Sequence, residues 1–320
     1  MDYVLRRLAM VPLLILGITL ITYILISFAP GDPITALINP EEMNVRSAEE
    51  IEQMREELGL NDPVPVRYGL WLKEAVQGNL GYSYQSSRPV SEIIWSRIPE
   101  TLLLSGSSII LAMTVGTTLG VISARKQYSF LDYVLTIGAF FGLSVPAFFF
   151  AMIGIFVFAV QLNWLPVFGM WTPGEPTGLN MDLLKHAILP VSALALPQVA
   201  EYMRYARAAT LDAMGAEHVT TARAKGLAES VVFRRHVFRN ALLPLVTIVG
   251  LSLPGVIGGS FIIETIFSWP GIGLLGYTAV LQRDYPLQIG IALLTATIVL
   301  IANLATDITY AIVDPRIRYD

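Results

Sequence analysis

The sequence contains no cysteine, which excludes disulfide bonds and thiolate metal sites but says nothing about the redox compartment. It has only three histidines, and His186, His218 and His236 share no metal-ligand spacing with one another or with nearby carboxylates. A phosphate-cradling GxxxxGK[ST] loop is also absent, so the chain has no usual means of binding ATP. We therefore expect no metal site, no bound cofactor and no catalytic residue in this chain.

Charged residues are scarce as well. They make up 14% of the 320 residues, against 54% that are hydrophobic, and the mean hydropathy is +0.60. This composition is too apolar for an ordinary soluble domain and is typical of a membrane protein.

The apolar residues fall into stretches long enough to cross a bilayer, which takes roughly 20 residues as a helix. We predict an all-α, polytopic membrane protein with six spans, at about 8–28, 101–122, 133–162, 183–206, 241–267 and 287–313. The third span is interrupted by Pro146 and is expected to bend. The first is too long for the apolar core of a signal peptide, so we predict a retained anchor. The predicted organisation is an anchor at 1–28, a polar segment at 29–100 and a five-helix core at 101–320.

Positive charges predict the orientation, because Lys and Arg concentrate in short cytoplasmic loops. They lie near the N-terminus, near the C-terminus, at Arg125 and Lys126, and between Arg204 and Arg239. The two short loops on the opposite side hold only Lys185 and Arg283, and the segment 29–100, which holds six Lys and Arg, is too long for the charge rule to weigh heavily. Both termini and the loop at about 207–240 are therefore predicted to be cytoplasmic. All five tryptophans fall outside or at the outer interface in this topology, as expected for amphipathic rings.

The segment 29–100 is predicted to be an extracytoplasmic helical cap. Residues 47–59 are predicted to form an amphipathic helix that begins with a capping box of Ser47 and Glu50. Residues 68–77 are predicted to form a second short helix that ends at Gly78. Two interpretations remain open at this point. The cap either covers the mouth of the membrane bundle or is a landing surface for an extracytoplasmic partner.

The sequence of the inner loop predicts two short helices, at 218–225 and 229–238, separated by a turn at Gly226. Such a pair forms a compact, rigid unit that carries several cations. The loop is either a docking element for a cytoplasmic protein or a basic loop that only sets the topology.

Here the sequence resembles a known family. TARAKGL at 221–227 and RNALLP at 239–244 are similar to the coupling-helix segment of permease subunits in ATP-binding-cassette importers, closest to the dipeptide, oligopeptide and nickel branch. Further segments typical of that branch follow in the expected order along nearly the whole chain: GDP at 31–33, LGLNDPVPVRYGLWL at 58–72, GNLGYS at 78–83, ETIFSWPGIG at 264–273, RDYP at 283–286 and DPRIR at 314–318.

The resemblance implies a non-catalytic pore subunit of the cell inner membrane that forms half of a translocation pathway for peptides. The expected partners are a second homologous permease subunit, two cytoplasmic ATPase domains that bind ATP and Mg²⁺, an extracytoplasmic substrate-binding protein and the lipid bilayer, but not nucleic acid. The residues expected to couple to the ATPase are Thr220, Thr221, Ala222, Arg223, Ala224, Lys225 and Gly226.

Polar or special residues in or beside the spans are candidates for the pathway or its gate, because unpaired charges near mid-membrane are costly. These are Glu264, Trp269, Pro270 and Asn303. Within the branch, nickel chelates or oligosaccharides are alternative cargoes. An ion-coupled secondary transporter is an alternative of another class, but the paired repeats and the carboxylate cluster that it would need are not evident.

Overall fold

The computed structural model describes residues 2–29, 34, 48–252 and 260–313, and in these residues every regular element is a helix. One isolated β-bridge joins Tyr82 to Pro89. The predicted all-helical fold is therefore confirmed. The GDP and DPRIR segments and the N-cap predicted at residue 47 lie outside the described residues.

The helices, in chain order, have the following bounds: α1 Asp2–Phe28, α2 Ala48–Glu57, α3 Val64–Val76, α4 Val90–Trp95, α5 Ile98–Arg125, α6 Phe130–Ser144, α7 Ala147–Gly154, α8 Met181–Gly215, α9 Glu217–Ala224, α10 Glu229–Val232, α11 Arg239–Ser252, α12 Phe261–Ile266, α13 Ile272–Leu281 and α14 Tyr285–Val313. Two π-helical segments extend them, Ile155–Gln161 after α7 and Phe233–Phe238 between α10 and α11.

Four of the described segments are long and apolar enough to cross a membrane. They contain most of α1, α5, α8 and most of α14, and they correspond to the first, second, fourth and sixth predicted spans. The pair α6 and α7 also qualifies if it counts as one span. The fifth predicted span, 241–267, contains most of α11 and all of α12, and residues 253–259 between them lie outside the described part.

The third predicted span is broken at Pro146, as the sequence indicates. Helix α6 ends at Ser144, and the next helix axis is turned by 100°. Val145 has an extended backbone, with φ −96° and ψ 125°, because the ring of a following proline disfavours the helical conformation. Pro146 then precedes the first residue of α7, where its missing N–H interrupts no hydrogen bond.

The chain divides into two compact units, the first formed by Met1–Glu100 and Pro270–Ile301. Its apolar core consists of Val90, Ile93 and Ile94 from α4 packed against Ala279 and Leu287. The α3 helix begins four residues earlier than the sequence predicts, because Pro65 is tolerated in the first helical turn.

The second unit contains Thr101–Trp269, and α8 is its central helix, in contact with α6, α7 and α11. Helix α5 also approaches α8 closely, through Gly116 and Gly120. A Cβ atom at Gly120 would lie 2.7 Å from Ala206 Cβ and 2.9 Å from Arg207 N, and would also overlap Met203 O. Small residues at four-residue spacing allow such close helix contacts in membranes, where packing rather than water drives association.

We predict that Gly120→Ala destabilises the protein by about 1–3 kcal/mol, the range for inserting a methyl group into a packed contact. The matched control is Gly106→Ala in the same helix, where an added Cβ would meet nothing within 4 Å. Alanine should be neutral or slightly stabilising there. Thermal unfolding of both variants in detergent measures the difference, and equal unfolding temperatures would contradict the close contact.

Candidate functional site

Helices α9 and α10 pack into a small compact unit, which we call the knob (residues 217–238). Val219 and Ala222 of α9 pack on Val232 and Val237, and the exposed fraction of these side chains is at most 5%. A buried apolar contact on one side of each short helix fixes their relative angle. The knob is therefore a rigid element rather than a loose loop.

The turn between the two knob helices is formed by Gly226, which has φ +78°. Its N–H donates to the Arg223 carbonyl at 2.9 Å, and the Leu227 N–H donates to the Ala222 carbonyl at 3.4 Å. This left-handed conformation costs little for glycine and more for residues that have a Cβ atom. The glycine turn predicted from the sequence is therefore present.

An ion pair closes the turn. Arg223 donates to both carboxylate oxygens of Glu229, Nε at 3.1 Å and Nη2 at 2.8 Å. These hydrogen bonds hold the pKa of the Glu229 carboxyl below its usual range. Both side chains are exposed to solvent, so the pair orients α10 against α9 without adding much stability.

The seven residues predicted to couple to an ATPase lie together at the end of α9 and in its turn. Six of them are exposed, whereas the Ala222 side chain is buried in the core of the knob. The exposed surface is therefore provided by Thr220, Thr221, Arg223, Ala224, Lys225 and Gly226.

One side-chain contact and one short chain connection join the knob to the long helices of the second unit. The Arg125 guanidinium, at the end of α5, lies over the Phe233 ring, 4.6 Å from its centroid. Residue 216 alone separates α8 from α9. A displacement of the knob would therefore act directly on the ends of α5 and α8.

A buried polar cluster, which the sequence analysis missed, joins α5, α6 and α8. Arg207 of α8 donates to both carboxylate oxygens of Asp132 at 2.8 Å. Ser123 Oγ also donates to Asp132, and the Tyr128 N–H donates at 3.0 Å. Asp132 is only 3% exposed, so its charge is compensated within the protein, as a buried carboxylate requires.

The pathway candidate Glu264 is fully buried in the second unit. Its carboxylate accepts hydrogen bonds from Thr101 Oγ1 at 2.9 Å and from Ser260 Oγ at 2.5 Å. Its carbonyl accepts from the Trp269 N–H at 2.8 Å, where Ser268 has φ +49° and the chain reverses direction.

The other three pathway candidates differ in exposure. Trp269 is 0% exposed and packs on Leu104, Met170, Leu183 and Ala187. Pro270 is half-buried, and its carbonyl accepts from Arg97 Nη1 at 3.3 Å. Asn303 is exposed on α14. Of these residues, Glu264 and Trp269 are joined by the backbone hydrogen bond described above.

The first unit contains a second buried carboxylate that the sequence analysis did not single out. Asp284 is 0% exposed, precedes α14 and accepts from Ser83 Oγ at 2.5 Å and from the Tyr84 N–H at 3.2 Å. It also accepts from the Leu287 N–H at 3.3 Å. The segments GNLGYS and RDYP therefore meet in the structure. Their positions, 201 residues apart, gave no local signal of this contact.

A cavity of about 210 Å³ lies in the first unit. Its walls include Tyr23, Arg67, Trp71, Tyr84 and Tyr285. Burial raises the pKa of the Tyr84 phenol to about 12, so Tyr84 keeps its proton at neutral pH.

The long apolar helices and the exposed, rigid knob define a multi-pass helical membrane protein with an element suited to docking another protein. Comparison with known proteins identifies the family. A model described as "binding-protein-dependent transport system inner membrane component" matches residues 116–319, and the model of the N-terminal part of these components matches residues 1–105. The chain belongs to this family, the permease subunits of ATP-binding-cassette importers, which are not catalytic themselves.

Two relatives match over nearly their whole length. The oligopeptide transport system permease protein AppB of Bacillus subtilis (strain 168) is 43% identical over 318 residues, which cover 99% of each chain. The dipeptide transport system permease protein DppB of Alkalihalophilus pseudofirmus is 37% identical over 335 residues, again 99% of each chain. The resemblance inferred from the motifs is thereby confirmed. The chain is an inner-membrane component of a binding-protein-dependent transport system.

Proposed function

We propose that this chain forms half of the translocation pathway of an ATP-driven peptide importer and receives force from an ATPase through the knob. The observation on which this rests is the rigid knob with its exposed α9 surface, directly joined to the long helix α8. The peptide cargo is supported by the names of the two relatives, an oligopeptide and a dipeptide transport system permease protein.

The proposed topology has six spans. The first, second, fourth and sixth are the long helices, the third is the broken pair α6 and α7, and the fifth is residues 241–267, which include most of α11 and all of α12. Both termini and the knob are cytoplasmic, and the segment 29–100 is extracytoplasmic, in agreement with the distribution of Lys and Arg.

The proposed coupling surface is the exposed part of α9 and its turn. It lies in a groove of the ATPase, and nucleotide-driven closure of two ATPase domains moves it. The buried contacts of the knob prevent bending, so the displacement reaches α5 and α8 through Arg125 and the Gly215–Glu217 connection. ATP and Mg²⁺ belong to the ATPase subunits.

The other half of the pathway is provided by a second, homologous permease subunit, and a separate binding protein delivers cargo to the extracytoplasmic cap. Glu264, Trp269, Pro270 and Asn303 belong to the pathway or its gate. Because Glu264 and Trp269 are fully buried, their proposed role is to hold the turn at 264–270 in place, while exposed Asn303 is the candidate for contact with cargo or the second subunit.

Uptake by proteoliposomes tests the proposal. The chain, reconstituted with its second permease, ATPases and binding protein, should import a labelled tripeptide only when ATP and the binding protein are both supplied. A labelled nickel chelate and a labelled trisaccharide serve as cargo controls. Import of either of these instead of peptide would overturn the substrate class, and import by the purified chain alone would overturn the role as a subunit.

A further inference from the structure

Three arginines line a concave surface, at the junction of the knob with α11, that the docking of α9 does not use. The concavity, of about 400 Å³, is lined by Ser230, Val231, Arg234, Arg235 and Arg239. We propose that it binds the phosphate group of an anionic phospholipid in the inner leaflet. This inference rests on the cytoplasmic orientation given under the proposed function.

The lining residues share one face of a continuous helical segment. Helix α10, the π-helix Phe233–Phe238 and α11 follow one another without interruption, and the lining residues recur at intervals of three to five along them. Val232 and Val237 lie on the opposite face and are fully buried in the core of the knob. The arginine face is therefore directed away from that core.

The charge of this face is not compensated by the protein. Arg234, Arg235 and Arg239 are all exposed, and none has a carboxylate partner among the described residues. Glu229, the acidic residue of α10, is bound by Arg223. Three guanidinium groups around one concavity attract an anion, and the planar guanidinium can donate two hydrogen bonds to two oxygens of one phosphate group.

The distance along the helix favours a membrane lipid over another anion. Arg239 is the first residue of α11, which continues into the predicted fifth span. Arg234 lies five residues earlier, at most about 7.5 Å along the axis at about 1.5 Å per residue. The headgroup layer on each side of a bilayer is about 5–8 Å thick. All three guanidinium groups therefore fit within this layer, where arginine side chains reach lipid phosphates.

Binding of a fluorescent phosphatidylglycerol to the purified full-length chain, in neutral detergent micelles, tests the proposal. Arg235→Gln should weaken the affinity about fivefold, since one basic residue near an anionic membrane contributes about that factor. The triple variant Arg234→Gln, Arg235→Gln, Arg239→Gln should weaken it about a hundredfold. Phosphatidylcholine should bind weakly, and millimolar inorganic phosphate should not displace the lipid.

The matched control is Lys126→Gln, which removes one exposed cation from the turn after α5. It should bind phosphatidylglycerol as the unchanged chain does. Circular dichroism establishes that each variant is folded, which is expected because glutamine is a good helix former and the replaced side chains are exposed.

Three outcomes would overturn the inference. Equal weakening by Lys126→Gln would indicate a non-specific charge effect, and displacement by inorganic phosphate would indicate a site for free anions. Unchanged lipid affinity in the triple variant, together with lost capture of the ATPase subunit, would assign the face to that protein. The measurement needs no ATP, peptide or partner subunit, so a failed uptake experiment with intact lipid binding would refute only the proposed function.

Discussion

Replacing Gly226 with aspartate is expected to reduce ATP-driven uptake by tenfold or more while the protein stays folded. An added Cβ at Gly226 would meet nothing within 4 Å, so the fold tolerates the side chain. The left-handed φ of +78° adds a strain of about 1 kcal/mol. The larger effect is the carboxylate, which is placed without a partner in the proposed contact with the ATPase. An unpaired buried charge costs several kcal/mol, and 1.4 kcal/mol is a factor of ten in affinity.

Gly226→Asn separates the two causes, because asparagine adopts the left-handed conformation readily and has no charge. It should keep most of the uptake that Gly226→Asp loses. The measurements are peptide import and ATP hydrolysis by the same proteoliposomes. The uncoupling prediction is wrong if the aspartate variant imports peptide at the normal rate. The role given to the charge is wrong if both variants are equally inactive.

Replacing Asp132 with asparagine is expected to lower the free energy of unfolding by about 3 kcal/mol. The side chain of Arg207 is 27% exposed and that of Asp132 is 4% exposed, so the substitution leaves a largely desolvated guanidinium without its counter-charge. Removing one partner of a buried ion pair costs about 3–5 kcal/mol, and the partial exposure of Arg207 places the effect at the lower end. Denaturation of the purified chain in mixed detergent micelles measures this loss.

The matched control is Asp212→Asn, since Asp212 is an exposed aspartate on α8, the helix that holds Arg207. Exposed substitutions of this kind usually change stability by no more than about 0.5 kcal/mol. Similar destabilisation by the two substitutions would show that the bidentate contact contributes nothing specific. Arg207→Lys should also destabilise, because a lysine cannot form two parallel hydrogen bonds to one carboxylate.

Much of the local structure was predictable. Local backbone preferences predict three features: the break at Pro146, the glycine turn at Gly226 and the two short helices of the knob. These preferences depend on a residue and its neighbours within a few positions along the chain, so they can be recognised in the sequence. Long apolar runs predict the four continuous membrane-length helices for a similar reason, because a span is a property of about 20 consecutive residues. The start of α3 was misplaced by four residues, since prolines in a first helical turn resemble those of a loop.

The polar clusters were not predictable. Asp132 and Arg207 are 75 residues apart, and Ser83 and Asp284 are 201 apart, so no window of the sequence contains both partners. Glu264 was recognised as an unusual charge, but its partner Thr101 and its complete burial were not. A lone acidic residue beside an apolar run indicates only that some partner exists.

The order of residues along the chain is sufficient to establish that this is a helical membrane protein with several segments apolar enough to cross a bilayer, and that it resembles importer permeases. These properties depend on composition, charge asymmetry and contiguous motifs, which can be recognised without knowledge of the contacts between residues in the fold. Only the folded arrangement decides that Ala222 faces inward, that Asp132 neutralises Arg207 and that three arginines share an unpaired face. Those properties depend on distances between residues that are remote in the chain or on opposite faces of a helix, and packing alone sets such distances.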